Sequence, residues 1–455
     1  MSTWDERRKV DLKRCLDSFD EQFRIWQERT ERPPYETHYS QVRAASDLLN
    51  GVRQELRKKL EGAKPATASL TRQVLSAWRV WEAFRDRLAQ RQEDMFRPGL
   101  AAADEIAWAC RKPVKAAFEE AGEQSPKEPA LVYLSGAASP VALVRDTPFT
   151  GEEVRGEGLW RNAEELLDHL PVPLIGMPWH EVFHAPGLVA VAHETGHVVE
   201  KDFNLTDALN SAIKKAVPAD QSDDWQRWRA EVFADHFALR HCGPAYAGFL
   251  ADVLRRFIDE PPSKAYPPHD VRMELCFAAL EEFGIKDETE DMRKVWRDSV
   301  PAAKEAQLEA ARAVAKALGG VQVAGKKTLA EVMPFTLQTH QTILAAARNF
   351  CKGIAPEGQF GAQHIAAAAR LAFDMAPDLF SAGAATEEVF GIVSKVEGAG
   401  TRRRAGRRPE PTAAGRTRRG AEARPPEFDH FAVGTSLARK WFKESTRGKK
   451  RKKKP

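Results

Sequence analysis

The sequence predicts an α+β chain, mostly helical, in which a small mixed sheet precedes a helix bearing two histidines and a glutamate. Three observations predict it. Apolar residues recur at helical spacing, with charges between them, across 5–30, 39–62 and 70–97. Short β-type runs follow at Ala130–Leu134, Val141–Val144 and Val172–Met177. The apolar run Leu188–Ala192 then leads unbroken into His193-Glu194-Thr195-Gly196-His197.

The first region, 1–128, reads as helical. Within it Val74, Leu75, Trp78, Trp81, Phe84 and Leu88 form the stripe that any buried helix face shows, so its tryptophans are assigned to helix packing and no chemistry. After Lys127-Glu128-Pro129 the period changes, and 129–285 is expected to be one domain: the sheet, the motif helix, then helices near Thr206–Val217, Asp223–Arg240, Ala245–Ile258 and Val271–Phe283, the last ending at Gly284. Residues 286–396 are Ala-rich and read as a helical C-terminal region. In 397–455 we expect a disordered basic tail, since 400–427 are Arg, Gly, Pro, Ala and Thr; Phe428, Phe431, Leu437, Trp441 and Phe442 form a short amphipathic stretch within it.

Composition narrows the function classes. No apolar run among the 455 residues approaches the ~18 to 20 needed to cross a bilayer, and Asp5 to Lys9 carry charge where a signal peptide would be apolar, so a cytoplasmic location is expected. Five scattered cysteines with no C-x-x-C pair argue for reduced, buried thiols. The net charge of +4 hides an asymmetry: residues 401–455 hold 19 Lys and Arg against 5 Asp and Glu, a balance of +14, so the first 400 carry −10. Such a tail could neutralise nucleic-acid phosphates nonspecifically, fold against the acidic body or solvate the terminus, and its amphipathic stretch could dock on a partner protein or on the body.

The chemistry centres on residues 193–197. A 3.6-residue period puts His193 and His197 on one helix face, where both reach one tetrahedral ion, with Glu194 beside a bound water. An upstream copy, His180-Glu181-Val182-Phe183-His184, is bracketed by Pro178 and Pro186, which confine it to a turn or two of helix, so it is read as a connection rather than a metal site. A catalytic zinc needs a third protein ligand. A metzincin would supply histidine at position 203, but Glu200 and Phe203 exclude that scheme. Farther on, Glu231 and Asp235 share one face of a helix otherwise fit for burial. Glu231 is the expected third ligand, with Glu200 as runner-up, and Asp235 is expected to accept the ring N–H of His193. The plainer alternative pairs Glu231 and Asp235 with Arg227, Arg229 or Arg240.

The set His193, Glu194, His197, Glu231 and Asp235 resembles the gluzincin branch of zinc metallopeptidases, with H-E-x-x-H on one helix and E-x-x-x-D on the next; Gly243-Pro244-Ala245-Tyr246 is similar to segments in soluble bacterial proteins of this type. The resemblance covers roughly 130–285. It implies a zincin-like core and a Zn2+ cofactor. Membrane-embedded relatives carry His-Pro-Pro followed by Arg as transition-state donors. Here Tyr266-Pro267-Pro268-His269-Asp270-Val271-Arg272 keeps the prolines and arginine but has tyrosine for histidine, so Tyr266, His269 and Arg272 are each candidate oxyanion donors or helix-start packing residues.

The expected function is therefore zinc-dependent hydrolysis of peptide bonds, with Glu194 as general base and a protein or peptide substrate held along an edge strand around Val172–Met177. The alternatives are a non-catalytic zinc-stabilised binding or signalling module, and hydrolysis of a non-peptide amide.

Overall fold

The computed structural model describes residues 3–62, 68–125, 128–145, 169, 171–256, 264–300, 303–381, 383–396 and 429–451. Thr3 opens the first helix with a capping box: its hydroxyl accepts from the Glu6 N–H, and the Glu6 carboxylate accepts from the Thr3 N–H. Helices α1 (Trp4–Arg29) and α3 (Ala68–Ala89) meet through aromatic rings, and α2 (Tyr39–Gly62) joins the same core with aliphatic side chains such as Leu48, Val52 and Leu56. Phe19 stacks on Trp78 at 4.3 Å, and Phe23 meets Trp81 edge-on at 4.9 Å. Helix α4 (Arg97–Glu120) follows.

Among the described residues the sheet has three strands: β1 (Leu131–Ser135), β2 (Val141–Leu143) and β3 (Leu174–Pro178), in the order β1-β3-β2. β1 runs parallel to β3 with Leu131 opposite Leu174, while β2 runs antiparallel with Val141 opposite Gly176. Every residue of β1 and β3 is buried, because alternate side chains enter two different cores. Leu131 and Tyr133 join a cluster built on α1–α3, whereas Val132 and Leu134 join a larger cluster that runs from Leu100 to Val393. A strand covered on both faces reads as a continuous apolar run.

The strand expected to hold substrate, Val172–Met177, is thus the central one, paired on both sides, and the edge belongs to β2. Nothing local in three short apolar runs specifies their order. The far edge of the sheet is closed by side chains: the Val132 N–H donates to Asp104 (3.1 Å), its carbonyl accepts from Arg91 (2.8 Å), and Gln90 both accepts from the Leu134 N–H (2.7 Å) and donates to its carbonyl (3.0 Å).

Beyond the sheet come α5 (Ala190–Asp202), α6 (Thr206–Ala216), α7 (Ser222–Cys242), α8 (Pro244–Arg256), α9 (His269–Glu282), α10 (Asp287–Arg297) and α11 (Glu305–Gly319). A two-stranded hairpin, β4 (Gln322–Ala324) and β5 (Lys327–Thr328), leads to α12 (Leu329–Val332), α13 (Leu337–Phe350), α14 (Ala362–Met375) and α15 (Ala384–Val393). Helices α5 and α7 cross closely at Gly196, where a Cβ would lie 2.9 Å from the Ala234 Cα. That crossing brings the two motif helices into register.

Helix α16 (His430–Arg451) lies along α2. Leu437 and Ala438 are buried there, Arg439 pairs with Glu55 at 3.1 Å, and a Cβ on Gly434 would strike the Leu48 carbonyl oxygen. The amphipathic stretch therefore docks on the body, at least through its residues up to 440; the Arg-rich 400–427 and Phe428 lie outside the described residues. The five cysteines are free. No helix among the described residues is long and apolar enough to cross a membrane.

Candidate metal centre

His193 and His197 sit one turn apart on α5, with their Nε2 atoms 3.2 Å from each other. Glu231 reaches them from α7, its Oε2 3.5 Å from His193 Nε2 and its Oε1 3.5 Å from His197 Nε2. An ion with tetrahedral bonds of ~2.0–2.1 Å separates its donors by about 3.3 Å. The three gaps match that spacing to within a few tenths of an ångström. Among the described residues these three are the one group of His, Cys, Asp or Glu close enough to share an ion.

Charge gives a second test of fit. Glu194, Glu231 and Asp235 are three carboxylates in a largely buried site to which the described residues bring one guanidinium, Arg272. With both imidazoles neutral, two negative charges remain, which a divalent cation would neutralise. Without a cation the site makes its own compensation. Burial disfavours the charged form of His193, but its hydrogen bonds to Asp235 and Glu231 prevail and raise it to about 10. Burial likewise opposes ionisation of Glu231, yet His193, His197 and Arg272 hold it down to about 2. Glu194 behaves oppositely: burial dominates and pushes it up to about 7, against the pull of His193. His197 is lowered by burial.

Asp235 lies behind the donors, 3.0 Å from His193 Nδ1. Arg272 grips it with two charge-assisted bonds of 2.7 Å, from Nε to Oδ2 and from Nη2 to Oδ1. Nη2 also sits 3.3 Å from Glu231 Oε2. The structure thus places Arg272 under the carboxylates. Tyr266, half exposed, lines the cleft in front, where the negative charge of Glu231, followed by burial, raises its hydroxyl pKa. His269 opens α9 on the same wall.

The other acids and bases are engaged elsewhere. Glu200 accepts from Arg229 and Thr206, both at 2.8 Å; Arg227 binds Asp224; Arg240 binds His236 and the Met333 carbonyl. In the upstream copy, Trp179–Phe183 and Ala185–Val189 form two separate 3-10 turns, and His180 is exposed.

Tyr246 is the residue that sequence reasoning passed over. Its hydroxyl lies 2.6 Å from Asp235 Oδ1 and 2.8 Å from His193 Nδ1. The available signal was a tyrosine on the buried face of an apolar helix, where its hydroxyl requires a partner.

The centre opens into a cleft of about 920 Å3. Glu194 lines it, β2 contributes Val141 and Ala142 on one side, and α8 contributes Phe249 and Leu250 on the other. No protein-family model matches the chain, and no curated protein or solved structure shows significant similarity to it.

Proposed function

We propose that the chain is a zinc-dependent metallopeptidase. The observation that carries this reading is the triangle of His193, His197 and Glu231 donors with Glu194 beside it on the wall of an open cleft. A zinc ion held by those three residues supplies Lewis-acid activation of water and of the scissile carbonyl. Glu194 accepts the proton released as the water oxygen bonds to the carbonyl carbon, then delivers it to the nitrogen as the C–N bond breaks. Tyr266 donates to the developing oxyanion; Arg272, with Nε and Nη2 on Asp235 and Nη2 also near Glu231, holds the site from behind.

Substrate lies extended along β2, the strand whose edge borders the cleft, because backbone pairing positions a peptide without reading its side chains. Three protein ligands beside an open cleft favour catalysis over a purely structural zinc, which would have four protein ligands.

The test is metal content together with cleavage of an unstructured protein, with and without chelator. One zinc per chain and chelator-sensitive cleavage are expected. Glu194→Gln should keep the zinc and abolish cleavage; cleavage at the parental rate refutes the assigned base. Zinc without cleavage of any peptide would support the structural-module reading instead.

A further inference from the structure

The geometry points to Tyr246 as the residue that positions His193, aiming the ring whose Nε2 is left for the metal; this rests on the metallopeptidase reading above. Tyr246 is 1% exposed and reaches the centre from α8, a third helix beyond the two that carry the motif. Its hydroxyl, Asp235 Oδ1 and His193 Nδ1 form a triangle with sides of 2.6, 2.8 and 3.0 Å. Only one arrangement of protons satisfies all three atoms. Ionised Asp235 can only accept, so the hydroxyl hydrogen points to it. The hydroxyl lone pair then faces Nδ1, which must carry a hydrogen to be compatible with both neighbours.

The reverse arrangement fails. If the hydroxyl hydrogen pointed to a bare Nδ1, the carboxylate would face an oxygen lone pair at 2.6 Å and a nitrogen lone pair at 3.0 Å, with no hydrogen between. Nδ1–H is therefore imposed from two directions, and the Nε2 lone pair is turned toward His197 and Glu231. The tyrosine ring lies nearly parallel to the imidazole, 13° apart with centroids at 5.9 Å, which restrains the tilt that the hydrogen bonds leave free. Asp235 alone would fix the tautomer; Tyr246 adds the second direction that aims the ring. Its hydroxyl faces the ring's rear nitrogen and the Asp235 carboxylate, so it acts on the metal only through His193 and Asp235.

Tyr246→Phe keeps the ring and removes the oxygen. Expected in the variant are a modestly lowered melting temperature without metal, since Asp235 keeps Arg272 and His193 as donors, a zinc affinity about tenfold weaker by competition with a chromophoric chelator, and a displaced, faster-exchanging His193 Nδ1–H signal in 15N spectra of the zinc-loaded protein. Zinc affinity within twofold of the parent with unchanged ring signals overturns the proposal alone. A parent chain that takes up no zinc overturns the metal reading and this proposal with it. Should the variant fail to fold, the zinc-loaded parent decides by itself: a bare Nδ1 on His193, or no through-space coupling between its Nδ1–H and the Tyr246 hydroxyl proton, refutes the assignment, and a protonated Nδ1 with that coupling upholds it.

Discussion

Substituting alanine for Gly196 tests how the two motif helices meet. The added Cβ would sit 2.9 Å from the Ala234 Cα, 3.2 Å from the Phe237 Cβ and 3.3 Å from the Ala234 Cβ. Ordinary carbon contacts need at least ~3.5 Å, so α5 and α7 must separate by about 0.6 Å, and backbone atoms leave no side chain to rotate away. Overpacking of this kind costs about 1–3 kcal/mol, offset by about 1 kcal/mol of helix propensity gained over glycine, for a net loss of about 1 kcal/mol. A metal held by these residues would feel the separation more. Gaps of 3.5 Å between Glu231 and each imidazole would widen to about 4 Å, beyond what bonds held to ±0.2 Å tolerate. We expect Gly196→Ala to fold with a slightly lowered denaturation midpoint and to bind zinc at least tenfold more weakly, measured by urea titration without metal and by chelator competition. Unchanged affinity and midpoint together would mean that the helices do not cross as closely as described.

Three further outcomes follow from the same geometry. Asp235→Ala should cost about 3–5 kcal/mol in urea unfolding, because it strands the buried Arg272 guanidinium; combining it with Arg272→Met should cost less than the sum of the two, and simple additivity would argue against their pairing. Burial keeps His236 neutral, and holds His241 and His364 down to about 3 and about 4, while the unfolded chain protonates near pH 6.5. Their stabilisation is thus full above pH 6.5 and lost as pH falls toward the folded values. Replacing His241 with Gln should flatten the decline in unfolding free energy between pH 6.5 and 5 by about 1.4 kcal/mol per pH unit, and an unaltered slope would contradict its neutrality. Gly434→Val should drive α16 off α2 and expose the segment to limited proteolysis, whereas parental resistance would show that the close approach to Leu48 is not needed for docking.

The motif was legible because it is local. A helical period alone places His193 beside His197, and Glu231 beside Asp235, and the prolines around His180 and His184 forbid the same geometry upstream. What could not be read is whatever arrives from elsewhere in the chain. Arg272 could be placed at the start of a helix, but spacing says nothing about whether its fork faces the cleft or the carboxylates behind it. Tyr246 is separated from His193 by two helices and the turn at Gly243. The strand order depends on what closes the edge of β1, and the atoms that do so belong to Gln90, Arg91 and Asp104, whose local sequence marks them only as helix-surface polar residues.

The seat of α16 bears on when the protein can finish folding. Leu48 and Gly51 are complete only against Gly434 and its neighbours, which leave the ribosome roughly 400 residues later, a wait of about 20 to 80 seconds at typical synthesis rates. Throughout that interval the nascent α2 presents an uncovered flank. A chaperone that shields α2 during translation would act on a surface that the chain covers only once residues 430–440 have been made.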